Sequence, residues 1–146
     1  MIPNRLVIDT NVLLDLFVFH DPRWSALLAL LDSGAIHGMT RADCRQEWLN
    51  VLHYPHLPLD DDKRQAASAQ FERLMQMSTA ATGAAPLPVC SDRDDQKFLE
   101  LARDAQAAVL VTKDKALLKL ARRTAKAGLF RILTPQAWLQ ELPASR

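Results

Sequence analysis

The sequence predicts an α/β protein with a mainly parallel sheet and helices on both of its faces. Three observations lead there. Apolar strand-like runs alternate along the chain with stretches of helical periodicity, as they do in βα units. The runs Leu6-Val7-Ile8 and Val109-Leu110-Val111 are unbroken, as expected of strands covered on both faces. The breaks between elements fall at Gly34, at Pro55 and Pro58, and in the Ala, Thr, Gly and Pro-rich residues 78–88. Right-handed crossovers then follow from the twist of the strands.

In chain order, the first strand ends at Asp9, and residues 12–19 read as a short helix broken by His20-Asp21-Pro22. Trp24, Leu27, Leu28 and Leu31 recur at helical spacing until Gly34 stops the second helix. Residues 36–39 form a brief strand. Thr40 or Asp43 opens a third helix with an apolar stripe of Cys44, Trp48, Val51 and Leu52, spaced i, i+4, i+7 and i+8. Asp60, Asp61 and Asp62 suit the positive end of a helix over residues 63–77, with Ala67, Phe71, Leu74 and Met75 on one face. Residues 78–88 read as an exposed loop and Val89-Cys90 as a short strand. A helix over residues 92–104 turns Phe98, Leu99 and Ala102 inward, and the strand at residues 109–111 ends at Thr112-Lys113-Asp114. Leu117, Leu118 and Ala121 continue as a helix, residues 130–133 form the last strand, and Pro135 starts the final helix.

The 146 residues suit a single domain, residues 1–146, with a real core. Apolar residues at 49%, charged residues at 24% and a net charge of +1 are those of an ordinary globular chain, so any preference for nucleic acid must come from local patches. Cys44 and Cys90 are too few for a disulfide framework and lie in no C-x-x-C arrangement, which suits free thiols in the cytoplasm. No signal peptide or membrane span is expected, because no apolar stretch approaches the ~20 residues a crossing needs.

The chemistry is expected where strands end. Asp9 follows the first strand, Asp114 follows Val109-Leu110-Val111-Thr112, and Ser91-Asp92-Arg93-Asp94-Asp95 follows Val89-Cys90. In a parallel sheet these carboxyl ends point the same way, toward the edge where α/β proteins bind ligands. Each acid alone could be a helix cap or dipole partner, yet capping does not account for an acid at every strand end. Glu47 belongs to the stripe of the third helix and is expected to face inward between Cys44, Trp48 and Val51, with no neighbour in that helix to pair it. A cation shared with Asp9 would solve that problem. Carboxylates without His or Cys companions favour Mg²⁺ or Mn²⁺ over zinc. His53 and His56 make a poor metal pair because Pro55 breaks the helix between them. Acids around such an ion suit phosphodiester hydrolysis, with one ion or two left open. From residue 113 to 131, Lys113, Lys115, Lys119, Arg122, Arg123, Lys126 and Arg131 face a single acid, Asp114, and offer either a phosphate-binding track or a solvated face.

With D-T-N-V-L-L, Q-E-W-L-N-V-L-H-Y-P, S-D-R-D-D-Q-K-F-L-E-L-A, V-L-V-T-K-D-K-A-L-L and I-L-T-P in that order, the chain resembles a PIN domain, in particular the bacterial group described as toxin components of toxin–antitoxin pairs. The likeness runs from about Leu6 to Leu139. It implies a three-layer α/β/α sandwich with a five-stranded parallel sheet in order 3-2-1-4-5, and a Mg²⁺- or Mn²⁺-dependent ribonuclease. It also implies an antitoxin protein as partner, with a homodimer left open. Catalytic acids then fall on Asp9, Glu47, Asp95 and Asp114, with Asp92 as a further metal ligand. Thr10, Asn11 and Thr112 would support them, and Lys113, Lys115, Lys119, Arg122 and Arg123 would meet the substrate. Gln96 stands where relatives often carry Asp or Asn, which leaves the third ligand open among Asp92, Asp95 and position 96. Lys113 and Ala116 depart from the group's T-G-D-K-D-L-L pattern. Alternatives are an RNA-processing or DNA-directed PIN nuclease, a non-catalytic RNA-binding or interaction module, and a haloacid-dehalogenase-type phosphatase. The last would need D-x-D-x-T, where this chain has Asn11 in place of the second Asp.

Overall fold

A computed structural model describes residues 2–142. Seven residues of extended chain form β1 (Ile2–Ile8), which leads directly into α1 (Thr10–Phe17) and then α2 (Ser25–Ser33). The chain continues through β2 (His37–Thr40), α3 (Ala42–Val51), α4 (Asp61–Leu74) and β3 (Met75–Met77). After a long connection come α5 (Gln96–Asp104), β4 (Ala107–Val111), α6 (Lys115–Leu118), α7 (Ala121–Lys126), β5 (Arg131–Leu133) and α8 (Pro135–Gln140). The five strands form one sheet in the order β3-β2-β1-β4-β5, and every pairing is parallel.

Two apolar layers account for the unbroken strand sequences. Leu6, Ile8, Val109 and Val111 point into one layer with residues of α1, α2, α3, α4 and α8, whereas Val7, Leu110 and Ile132 point into another with α5, α6 and α7. Alternate residues of a strand face opposite sides, so a strand buried on both needs no polar alternation. Trp48 sits at the centre of the first layer, edge-on to Phe17 at 5.8 Å and stacked on Phe71 at 5.4 Å. That contact ties α1, α3 and α4 together beneath the edge of the sheet. Cys44 and Cys90 are buried free thiols, and no helix among the described residues is long and apolar enough to cross a membrane.

Local signals set most of the boundaries. Gly34, in the left-handed region at φ +80°, closes α2; Asp60 caps α4 by accepting from the Lys63 N–H at 2.8 Å; and Thr134 with Pro135 opens α8.

The third strand is not where the sequence reading puts it. Val89 and Cys90 pair with no strand, while β3 begins directly after α4 and lies parallel to β2, with Gly38 opposite Met75. The helix expected through residue 77 therefore stops at Leu74. Two interactions select strand over helix at that point. A Cβ on Gly38 would meet Met75 Sδ at 2.7 Å, so the glycine makes room for the methionine to pack across the ladder. The Ser78 N–H then donates to the Thr40 carbonyl at 2.8 Å and extends the pairing. Further boundaries differ: α1 spans Thr10–Phe17 instead of residues 12–19, residues 93–95 form a tight 3₁₀ turn ahead of α5, β4 begins at Ala107, and the helix expected across Leu117 and Ala121 is two, α6 and α7.

Candidate active site

The parallel topology brings the expected acids to one edge. Asp9 leaves β1 with its N–H still bonded to the Val111 carbonyl at 2.9 Å, and Thr112 leaves β4 with its N–H bonded to the Leu133 carbonyl at 2.9 Å. Both side chains therefore project from the last rung of the ladder. The Thr112 hydroxyl donates to Asp9 Oδ2 at 2.7 Å and accepts from the Asp114 N–H at 3.0 Å, coupling the ends of β1 and β4. Thr112 is fully buried and Asp9 nearly so.

Capping separates the acids into two kinds. Asp92 accepts from the Asp94 N–H at 3.0 Å and Asp114 from the Ala116 N–H at 2.7 Å, so each commits one oxygen to starting a turn or helix. Asp9 and Asp95 also stand at helix N-termini, but neither side chain makes a capping hydrogen bond. Their presence is thus not explained by helix initiation. Asp95 is only 8% exposed, and its Oδ2 is buried with no hydrogen-bond partner. Carboxylate oxygens of Asp92, Asp95 and Asp114 lie within 4.8 Å of one another.

The electrostatics follow from that crowding. Burial, with the charges of Asp9, Asp114 and Asp92 added, pushes Asp95 up to about 7. Burial also raises the pKa of Asp9; the Thr112 hydrogen bond opposes it, and the charges of Glu47 and Asp114 reinforce it. An orphaned buried oxygen beside two further carboxylates, with no nitrogen or sulfur donor among them, suits a hard oxygen-preferring cation.

Glu47 differs from its expected state. It is 28% exposed at the side chain, not fully inward, and it is not unpaired: Lys97 Nζ donates to its Oε1 at 3.0 Å and the Thr10 hydroxyl to its Oε2 at 2.5 Å. Cys44, Trp48, Val51 and Leu52 of the stripe are buried, and Glu47 is not. An unpaired charge on that helix therefore no longer counts against a non-catalytic module; the unpaired oxygen that does so belongs to Asp95. Lys97 was missed because its partner comes from another segment, although position 97 lies one turn before buried Leu101 and thus on an inward-leaning side of α5.

Gln96 is occupied elsewhere, accepting from the Cys90 N–H at 2.7 Å and donating to the Pro88 carbonyl at 3.1 Å. It staples the connection before α5 and takes no place among the clustered carboxylates. Thr10 and Thr112 do support acids, whereas Asn11 is exposed with no side-chain hydrogen bond among the described residues. His53 and His56 are exposed, and His56 packs beside Tyr54. Lys113 is held by Asp15 at 2.6 Å and Arg131 by Glu141. Lys115, Lys119, Arg122, Arg123 and Lys126 are exposed and make no ion pair among the described residues. A cavity of about 440 Å³ between the end of α1 and α4 contains none of the acids.

This sheet order defines a parallel α/β domain with an acidic cluster at its carboxyl edge, and the sequence comparison supplies the family. Residues 5–116 match the PIN domain family, and the chain belongs to it. PIN domains are generally nucleases. The matched region carries Asp9, Glu47, Asp92, Asp95 and Asp114 and ends before Lys119, Arg122 and Arg123. No curated protein matches the chain.

Proposed function

We propose that the protein is a Mg²⁺- or Mn²⁺-dependent endoribonuclease that hydrolyses RNA phosphodiester bonds and acts as the toxin of a toxin–antitoxin pair. The observation that carries the metal-dependent reading is the buried, unpartnered oxygen of Asp95 beside Asp92 and Asp114. Asp92, Asp95 and Asp114 would hold the ion, with Asp9 beside them and Glu47 alongside. Such an ion activates water and offsets charge on the phosphate and the leaving oxygen.

The chain's own residues prepare that chemistry. Thr112 fixes Asp9 and the Asp114 turn relative to each other, which limits the reorganisation needed on binding. Thr10 and Lys97 orient Glu47. RNA as substrate is supported by the exposed cations on α6 and α7, which offer a phosphate backbone a positively charged approach to Asp114. The toxin role and a small antitoxin partner rest on the resemblance to the bacterial group.

Asp9→Asn is the direct test. The purified wild type should cleave RNA in Mn²⁺, and the variant should lose at least about 100-fold in rate, since even outer partners of a metal site cost about 10–100-fold. Its far-UV spectrum should not change. Growth arrest on expression should likewise disappear with the variant. Undiminished cleavage by Asp9→Asn would remove the proposed role of these acids.

A further inference from the structure

Glu47 and Asp95 stand on neighbouring helices at the same edge, yet only one of them lacks a counter-charge. Lys97 enters from the first turn of α5, 17% exposed, and donates to Glu47 Oε1 at 3.0 Å. Its ammonium also bonds the Asp94 carbonyl and lies 5.2 Å from the centre of the Phe98 ring. These three contacts hold it in place. The second oxygen of Glu47 is taken by the Thr10 hydroxyl, one residue beyond Asp9.

We propose that Lys97 is a built-in cation that holds Glu47 where a second metal ion would otherwise sit, so that the site takes one divalent ion, on the Asp95 side. This rests on the metal-dependent reading above. Paired catalytic ions stand roughly 3.5–4 Å apart and need carboxylates on both sides. Glu47 is an acid at this edge outside the Asp92, Asp95 and Asp114 cluster, and both of its oxygens are already hydrogen-bonded. A fixed ammonium 3.0 Å from Oε1 also repels any divalent ion approaching that carboxylate. The Asp95 side carries no such ammonium among the described ion pairs and keeps a free oxygen. Lys97 is thus a positioning residue, acting through Glu47.

Counting bound Mn²⁺ on the full chain by calorimetry and electron paramagnetic resonance tests this without any activity measurement. The wild type and Lys97→Arg should bind one ion, and Lys97→Gln should bind a second, weaker one. Glu47→Gln, with Lys97 intact, should still bind one ion with its affinity changed less than about threefold, which covers the case in which Lys97→Gln does not fold. Two ions on the wild type, one on a folded Lys97→Gln, or a collapse of affinity in Glu47→Gln would each overturn the assignment. No Mn²⁺ bound by the wild type at all would instead overturn the metal-dependent reading beneath it.

Discussion

Two halves of the acidic edge reach stability by different routes. On the α3 side, Glu47 is neutralised within the protein by Lys97 and Thr10, and its burial is only partial. On the α5 and α6 side, Asp92, Asp95 and Asp114 crowd together beside the Thr112–Asp9 pair, and Asp95 keeps a buried oxygen without a partner. A chain optimised for stability alone would treat the second half as it treats the first, since pairing or removing a buried charge is favourable. The difference teaches that the Asp95 half is held under electrostatic stress by the surrounding fold, as expected of a site shaped for something that binds there.

The contrast predicts opposite signs for two nearly isosteric substitutions. Glu47→Gln should destabilise the metal-free protein by about 1–2 kcal/mol, between the limits for exposed and buried ion pairs, because Lys97 is left without its counter-charge. In a chain of this size that lowers Tm by roughly 3–8 °C. Asp95→Asn should do the reverse at pH 8, raising stability by about 1 kcal/mol while weakening Mn²⁺ binding, because a neutral amide replaces a desolvated charge and donates to neighbouring carboxylates. Thermal melts of both variants in EDTA check the pair. If Glu47→Gln is neutral or stabilising, the two halves are alike after all.

The legible part of this fold and site was the part written in local sequence. Leu6-Val7-Ile8-Asp9 announces a central strand and the site at its end, and Asp114 after Val109-Leu110-Val111-Thr112 repeats the pattern. The strand Met75-Gln76-Met77 was illegible because it carries no β-branched or aromatic residue and continues the helical spacing of Phe71 and Leu74 without a break. Its structure is imposed by the ladder with β2 and by the space over Gly38. Val89-Cys90 failed for the opposite reason: good strand residues with no ladder to join, stapled by Gln96 instead. The state of Glu47 could not be read from its own helix, since an ion pair across 50 positions leaves no periodic trace.

The pH dependence of the metal-free protein is the finest probe of the same contrast. Asp95 titrates at about 7 in the folded chain and near 3.9 when unfolded, so between those values the native state binds more protons than the unfolded one. Stability from protonated Asp95 is then fully present below about pH 4 and is lost as pH rises through 7. The raised pKa of Asp9 has the same sign. Asp43 and Asp104 behave oppositely: the Arg41 hydrogen bond holds Asp43 below its ordinary value, and hydrogen bonds from Arg103 and the Gly83 N–H outweigh burial at Asp104. Their contributions fade only as pH falls through their depressed pKa values, below about 4, leaving the window from about 4 to 7 to the acidic edge. In EDTA, Tm should fall from pH 5 to pH 8 by an amount worth about 1 kcal/mol or less, because water reaching the rim screens the cluster. Saturating Mn²⁺ should reverse the trend, since metal binds the ionised carboxylates and displaces their protons. A Tm in EDTA that rises from pH 5 to pH 8 would mean that the Asp95 half is as well balanced as the Glu47 half.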